Sequence, residues 1–266
     1  MIEITENKTD GKALAVEIAG YLSEKRRTNC FLQPEDWKGI LEQGKIFRME
    51  FSGGLYLLVE KERQFDLLYF LERNTTPVPL PDVQKPVILE QVSAERTGVS
   101  PALEEWEAAG FHRYLRRKRL FLAAKNAGQG SREIIFCGEN EQERIQTLLS
   151  ESFEPYTSDL PDVETLAADL REKRVIAIRK NGKLLGFLRF GREKKISVLR
   201  QIAVLPAARG GGIGNGLVRD WLALERENAA KFQLWVREDN PPALRMYEKL
   251  GFQPDGRTAP VMIKEP

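Results

Sequence analysis

The segment VLPAARGGGIGNGLVRDWL, residues 204–222, sets a run of glycines between an apolar stretch and an amphipathic one. Apolar residues then recur at helical spacing, which predicts a helix from residue 212 to about 227. Glycine lacks the Cβ that restricts backbone turns, and the first N–H groups of a helix have no partner within it. The helix dipole is also positive at that end, and Arg209 adds a fixed charge. The segment therefore predicts a seat for a phosphate or pyrophosphate.

Other phosphate-binding loops match this segment less well. A Walker loop needs Gly-Lys-Ser/Thr, which is absent here. A dinucleotide-binding loop opens a parallel βαβ unit, whereas this one follows three strands expected to form a meander. A glycine-rich turn without a ligand is the remaining alternative.

The second half of the chain alternates helical and strand patterns around this loop. Asp162 can cap a helix, and Asn181-Gly182 is typical of a tight hairpin turn. The expected helices are 140–153, 162–173, 212–227 and 241–250, and the expected strands are 133–136, 175–179, 184–190, 196–205, 232–236 and 261–264.

A phrase near the end of the chain occurs twice. PALRMYEKLGF at 242–252 and PALEEWEAAGF at 101–111 agree at six of eleven positions, with Tyr247 in one copy and Trp106 in the other. Such self-similarity favours a duplicated plan, although two helix ends can also agree by chance. The first half supports duplication, with an expected helix at 13–25, strands at 46–51, 55–60, 65–71, 87–92 and 115–122, and a helix ending at Gly110.

One element has no counterpart in the first half. Residues 72–86, ERNTTPVPLPDVQKP, are rich in proline and cannot form a long helix. The second half has the glycine loop and a full helix at the corresponding place. The small-residue stretch NAGQGS at 126–131 is typical of a linker. The halves are therefore expected to be domains at 1–127 and 132–266, the first having lost an element.

Composition excludes several classes of protein. The 266 residues carry 41 basic and 39 acidic side chains, which argues against a protein that coats nucleic acid. No apolar run approaches the roughly 20 residues of a membrane span, and no opening segment is typical of a signal peptide. Cys30 and Cys137 are far apart and indicate neither a disulfide framework nor a zinc site. We expect a cytoplasmic protein without a metal; a homodimer is permitted but not required.

The pattern Arg-x-x-Gly-x-Gly, met by Arg209, Gly212 and Gly214, follows IAVLP and precedes an amphipathic helix. Together with the downstream EDNPPALRMYEKLGF, it resembles the GNAT superfamily of N-acetyltransferases over about residues 133–264. The resemblance implies an α/β (α+β) fold of tandem GNAT-like domains with mixed, mostly antiparallel sheets. It also implies acetyl-CoA as acyl donor and an amine acceptor, either a small molecule or a peptide.

The resemblance further implies a set of site residues. The Val204 N–H would polarise the acetyl carbonyl and stabilise the developing oxyanion. Tyr247 would protonate the departing thiolate, since phenol and alkyl thiol have similar pKa values. Asn240 is expected to cap the helix that carries Tyr247, and Gly251 to end it. The implied cofactor-binding residues are Ile202, Ala203, Val204, Arg209, Gly210, Gly211, Gly212, Ile213, Gly214, Asn215, Asn240 and Tyr247.

A base for the acceptor amine cannot be assigned by the resemblance. Many relatives have a carboxylate on the fourth strand, where this chain has Arg200 and Gln201. Arg200 could instead hold an acidic acceptor. Glu154, Asp159 and Glu164 lie near the stretch that lines the acceptor cleft in the family, and each is expected to be solvated surface.

The first copy lacks the features that would support catalysis. Trp106 has no transferable phenolic proton, Val99 stands in place of Asn240, and the glycine loop is missing. The first half is therefore expected to be a degenerate GNAT-like domain. Two alternatives to an acetyltransferase stay open: a non-catalytic CoA-binding or regulatory module, and a tandem GNAT aminoacyltransferase, which the near-zero net charge disfavours.

Overall fold

The computed structural model describes residues 3–23, 26–94, 102–128 and 133–266. These residues pack into two compact units. Unit 1 comprises Met1–Arg117 with Gly256–Pro266, and unit 2 comprises Lys118–Asp255. The predicted domains were 1–127 and 132–266. In the structure, residues 118–127 belong to unit 2 and residues 256–266 belong to unit 1. The domain boundaries themselves stay a prediction. Val99, Pro101 and linker residues 129–131 lie outside the described ranges.

Unit 1 is a sheet whose neighbouring strands are mostly antiparallel, with two helices ahead of its main strands. Its order is β1-β3-β4-β5-β6-β14, and among these neighbouring strands in the described ranges only the β5–β6 pair is parallel. Its elements are β1 Thr5–Glu6, α1 Gly11–Ser23, β2 Arg27–Thr28, α2 Asp36–Gln43, β3 Ile46–Phe51, β4 Gly54–Glu60, β5 Phe65–Leu71, β6 Val87–Glu90, β7 Ser93–Ala94, α3 Leu103–Ala108 and the first part of β8 His112–Ala123.

Unit 2 repeats this order with one more helix. Its strand order is β8-β13-β12-β11-β10-β9. Its elements are the rest of β8, β9 Ile135–Phe136, α4 Gln142–Ser152, α5 Val163–Arg171, β10 Val175–Lys180, β11 Lys183–Glu193, β12 Ile196–Val204, α6 Ile213–Glu225, β13 Lys231–Arg237, α7 Pro241–Lys249 and the start of β14 Gln253–Lys264. The expected α/β fold with a mixed, mostly antiparallel sheet is confirmed.

Local signals account for several boundaries in unit 2. The Asp162 carboxylate accepts a hydrogen bond from the Thr165 N–H at 2.7 Å, so it caps α5 as predicted. Asn181 and Gly182 have φ of 51° and 74°, which is the conformation that a two-residue hairpin turn between β10 and β11 requires. These predictions are confirmed because each depends on residues within a few positions of one another.

The proline-rich stretch of unit 1 forms no helix, as predicted. The Val78 N–H donates to the Tyr56 hydroxyl at 2.9 Å. That hydroxyl in turn donates to the Val78 carbonyl oxygen at 3.3 Å. Leu80 is buried and packs in the same apolar cluster as Trp106. The stretch is therefore bound to the face of the sheet in extended form.

Two features of unit 1 differ from expectation. Helix α2 was not predicted; it is short and has Gly39 in its middle, which weakens the helical signal. The final strand is longer than the predicted 261–264. Its residues Val261–Lys264 pair antiparallel with β6 and so close the sheet of unit 1. The continuous apolar run Val261–Ile263 predicts a buried strand but does not say which sheet it joins.

The sheet of unit 2 is covered on both faces. Helices α6 and α7 pack on one face over a cluster that includes Leu188, Trp221 and Phe232. Helices α4 and α5 pack on the other over Leu166, Phe187 and Ala203. Burial of both faces explains why β10–β13 are nearly continuous apolar runs.

Candidate functional site

The glycine loop leads into α6 in a conformation that needs glycine. Gly210 and Gly212 have φ of 80° and 77°, and no side chain caps the helix. The first helical hydrogen bond runs from the Gly216 N–H to the Gly212 carbonyl at 2.9 Å. The N–H groups of residues 212–215 therefore have no acceptor within α6. Added Cβ atoms at Gly210 and Gly212 would meet nothing within 4 Å, so this turn is open to a ligand.

Gly214 lies where three elements come together. A Cβ on Gly214 would lie 3.2 Å from the Met246 Sδ and 3.9 Å from the Val204 Cγ2. Its absence lets the start of α6 approach both α7 and the end of β12. The predicted anion seat thus lies beside the strand that was expected to bind the acyl end of the cofactor.

Strands β12 and β13 separate next to this loop. They pair in parallel from Ile196 opposite Lys231 to Leu199 opposite Leu234, and the pairing stops there. Strand β12 continues to Val204 and β13 to Arg237. The two strands are neighbours inside the unit 2 sheet, and neither is an edge strand, so their separation leaves a gap in it.

Backbone alternation decides which groups face the gap. The Leu205 N–H donates to the Leu185 carbonyl of the neighbouring strand at 2.9 Å. Successive residues of a strand project their N–H and C=O to opposite edges, so Ala203 also faces β11, whereas Ile202 and Val204 face the gap. The Val204 carbonyl accepts a hydrogen bond from the Arg209 Nε at 3.2 Å.

Helix α7 carries the predicted tyrosine. The Asn240 Oδ1 accepts a hydrogen bond from the Ala243 N–H at 3.2 Å, and Gly251 has φ of 89°, so the predicted cap and stop are confirmed. Tyr247 is 3% exposed and packs edge-on against Phe252, with 5.7 Å between ring centroids. Its hydroxyl has no hydrogen-bond partner among the described residues. Burial raises the pKa of Tyr247 above its ordinary 10.0, so the phenol keeps its proton at neutral pH.

The unusual residues of β12 lie at a β-bulge. Arg189 is opposite Gln201 and Phe190 is opposite Leu199, which leaves Arg200 as the extra residue. The Arg200 guanidinium is 2.6 Å from Glu193 and 3.4 Å from Asp159. Two carboxylates already neutralise it, which weakens the expectation that it holds an acidic acceptor.

The carboxylates near α5 have different environments. Asp159 and Glu164 are exposed, as predicted. Glu154 is not solvated as expected: its carboxylate accepts hydrogen bonds from Tyr156, Thr157 and Ser158. Burial alone would raise the pKa of Glu154, but these hydrogen bonds outweigh it and lower the pKa. This correction has a local cause, because the side chain folds back onto the turn that follows it.

The described residues form neither a cluster of metal ligands nor a membrane-spanning helix. In ranges 3–23, 26–94, 102–128 and 133–266, no three His, Cys, Asp or Glu side chains gather as metal ligands would. None of the helices in those ranges is long and apolar enough to cross a membrane. Cys30 and Cys137 are buried free thiols.

The fold and site together define a class of domain. It has a mixed, mostly antiparallel sheet that opens between two inner strands, β12 and β13, beside the glycine-rich start of a helix. Residues 142–252 match the model of the Acetyltransferase (GNAT) family, so this part of the chain is a GNAT domain. The resemblance inferred from Arg209, Gly212 and Gly214 is confirmed.

Curated relatives match only part of the chain. A candidate ribosomal protein bS18-alanine N-acetyltransferase of Bacillus subtilis (strain 168) is 34% identical over 82 residues, which is 30% of this chain and 54% of that protein. The matches span 28% and 54% of the length of the two curated relatives found.

Solved structures match along nearly the whole chain. A GCN5-related N-acetyltransferase from Sphaerobacter thermophilus is 13% identical, with a TM-score of 0.63 and coverage of 99% of this chain and 95% of that one. A tandem GNAT protein from the clavulanic acid biosynthesis pathway is 12% identical, with a TM-score of 0.58 and coverage of 100% and 98%. At such identity the likeness shows the fold alone, and it covers both halves of the chain.

Proposed function

We propose that the chain is an acetyl-CoA-dependent N-acetyltransferase whose catalytic domain is the second half, about residues 132–266. The observation that carries the proposal is the gap between β12 and β13 beside the glycine loop. The gap offers a free strand edge, and the loop offers several N–H donors close by. Few ligands need both an anion seat and an extended polar edge, and acyl-CoA carries a diphosphate joined to an amide-containing arm.

The residues present fit this cofactor. The N–H groups of residues 212–215, at the positive end of α6, would hold the diphosphate. Arg209, Gly210 and Gly211 immediately precede these N–H groups in the chain. The Arg209 side chain also donates a hydrogen bond to the Val204 carbonyl at the end of β12. The edge groups of Ile202 and Val204 would pair with the amide-containing arm as an added strand does. Ala203 would contribute by keeping β12 paired to β11, and Asn240 by capping α7.

Two residues would act in the chemical step. The bound thioester supplies an activated acyl group. The Val204 N–H would donate a hydrogen bond to the acyl carbonyl oxygen, and it has the right orientation because it points into the gap. Tyr247 would give its proton to the sulfur as the thiol leaves, since a phenol is protonated at neutral pH and the departing thiolate is a base of similar strength to an ordinary phenolate.

None of the three carboxylates near the start of α5 suits the role of general base. Glu154 is held by several hydrogen bonds and has a lowered pKa, while Asp159 and Glu164 are exposed. We therefore propose that the amine enters in its neutral form. The value of kcat/KM for the acceptor should then rise about tenfold per pH unit below the pKa of the acceptor itself. A plateau well below that pKa would reveal a protein base.

The first half is proposed to be non-catalytic. Residues 72–86 occupy the place of the glycine loop, and Trp106 is fully buried against Tyr56, Tyr69 and Phe111. A side chain enclosed in this way cannot meet a substrate without unpacking its cluster.

Calorimetric titration with acetyl-CoA tests the first part of the proposal. Heat of binding is expected, with desulfo-CoA also bound because the seat recognises the diphosphate. Thiol release is then followed with four amines: phenethylamine, spermidine, an aminoglycoside and an alanine-initiated peptide. Absence of binding would refute the cofactor. Binding without release on this panel or on wider ones would favour a regulatory module instead.

A further inference from the structure

A buried polar chain crosses the α5 face of the unit 2 sheet. The Arg189 guanidinium pairs with Asp169 of α5 and donates to the Gln201 Oε1 at 2.8 Å. All three side chains are at least nine-tenths buried, with exposures of 5% for Asp169, 7% for Arg189 and 1% for Gln201. Polar groups at such depth are costly unless each is paired, and here each has a partner.

Gln201 extends this chain to the loop ahead of α5. Its Nε2 donates to the Ser158 carbonyl at 2.7 Å and to the Asp159 carbonyl at 2.8 Å. Both amide protons are thus used on successive backbone carbonyls, while its oxygen is used on Arg189. The loop is bent for this contact, since Asp159 has φ of 49°, a conformation that few non-glycine residues adopt.

The location of Gln201 connects this loop to the proposed reaction. Gln201 precedes Ile202, whose backbone faces the gap, and both lie on β12. The side chain of Ile202 packs with the α6–α7 cluster, on the face that carries the glycine loop. Gln201 projects to the opposite face, where Ala203 packs with α4 and α5. The cofactor seat occupies one face of the gap, so a second substrate must approach from the other, beside residues 154–159.

We propose that Gln201 is a positioning residue that fixes the loop 154–159 against β12, so that the loop forms one wall of the acceptor site. This inference rests on the proposed function for its kinetic consequence, but not for the loop contact itself. The bulge at Arg200 contributes to the same wall, since Arg200 pairs with Asp159.

Hydrogen exchange of the ligand-free protein tests the positioning directly. In Gln201→Leu and Gln201→Glu, amides in peptides covering residues 154–160 should exchange about tenfold faster than in the wild type. Gln142→Leu is the control, because the Gln142 side-chain amide also donates to a nearby backbone carbonyl, that of Val163 at the start of α5, at 2.7 Å, without contacting residues 154–159. Unchanged exchange in both Gln201 variants would overturn the proposal.

The glutamate variant separates positioning from a merely structural role. Gln201→Glu keeps an acceptor for Arg189 but removes both donors to the loop. If Gln201 served only to accept the hydrogen bond from Arg189, this variant would behave as the wild type does, and that result would refute positioning. We expect instead that both variants raise the acceptor KM about tenfold, with kcat changed less and acetyl-CoA affinity within about twofold.

The kinetic measurements use the amine of the four-member panel that is acetylated fastest. Failure of the proposed function can then be distinguished from failure of the inference about Gln201. If the wild type binds no acetyl-CoA, the proposed function fails while the exchange experiment still decides the loop contact. If exchange accelerates but the acceptor KM does not move, the loop is not a wall of the acceptor site and the inference is wrong.

Discussion

Tyr247 combines deep burial with a hydroxyl that bonds to none of the described residues. A buried phenol without a hydrogen bond gains nothing for stability, and a phenylalanine would fill the same space. A hydroxyl that bonds to no protein group in the described part of the chain is free to donate its proton to a bound ligand.

Tyr247→Phe should lower kcat about 100-fold or more while acetyl-CoA binding stays within about twofold. Stability should be unchanged or slightly higher, because no hydrogen bond is lost. Steady-state kinetics, calorimetry and urea unfolding measure the three effects. Retention of full kcat would contradict the assigned role.

Gly212 is the other residue whose identity matters by itself. With φ of 77°, its replacement by alanine should cost about 1 kcal/mol or more and weaken acetyl-CoA binding, because the loop amides would shift. Gly20→Ala is the control: Gly20 lies inside α1 with open space at its Cβ position. That change should stabilise the protein by about 0.5–1 kcal/mol. Equal effects of the two variants in urea unfolding would argue against backbone strain at Gly212.

At the scale of elements, helix α7 depends on its cap. Asn240→Ala removes the acceptor for the Ala243 N–H and should cost about 1 kcal/mol. Asn240→Asp preserves an acceptor and should lose much less. Urea midpoints give the comparison. If Asn240→Asp lowered the urea midpoint as much as Asn240→Ala does, loss of the cap would not explain the destabilisation.

The loop ahead of α5 should respond to pH through Glu154. Hydrogen bonds lower its folded pKa below the ordinary 4.5, so the carboxylate stabilises the folded loop above that value. This contribution is lost as pH falls through the folded pKa. Glu154→Gln should therefore be less stable than the wild type at pH 7, and the difference should shrink as pH drops below about 4. A difference that stays constant between pH 7 and pH 3.5 in thermal unfolding would contradict this account.

At the scale of the whole molecule, the last strand packs with residues from the first half of the chain. Met262 is fully buried in the unit 1 cluster that includes Trp106, although it comes last in sequence. Met262→Ala should cost about 2–5 kcal/mol, because it leaves a cavity in that cluster. Val16→Ala, at a position 69% exposed, is the control and should change stability by less than about 0.5 kcal/mol.

Hydrogen exchange locates the effect of Met262→Ala. Protection should fall first in β4 and β5, which share the cluster through Tyr56 and Tyr69. If protection fell first in the strands of unit 2, the assignment of the final strand to unit 1 would be wrong.

Local patterns allowed much of the fold and of the candidate site to be predicted. The cap at Asp162, the turn at Asn181 and the glycine loop each depend on residues close in sequence, so the chemistry of those residues was sufficient. Helix α2 was missed because Gly39 weakens a signal of only eight residues. The environment of Glu154 was predicted wrongly because the sequence does not show that its carboxylate accepts hydrogen bonds from residues 156–158.

By itself, the sequence determined the class of domain, the glycine turn that opens α6 and the cap and end of the helix that carries Tyr247. Only the tertiary structure decided that Gln201, Arg189 and Asp169 form one buried chain and that residues 261–264 close the sheet of unit 1. The physical reason is the same in both cases. Hydrogen-bond partners from separate elements, and the sheet edge a strand joins, are selected by packing across the fold, whereas caps and turns are selected within a few residues of chain.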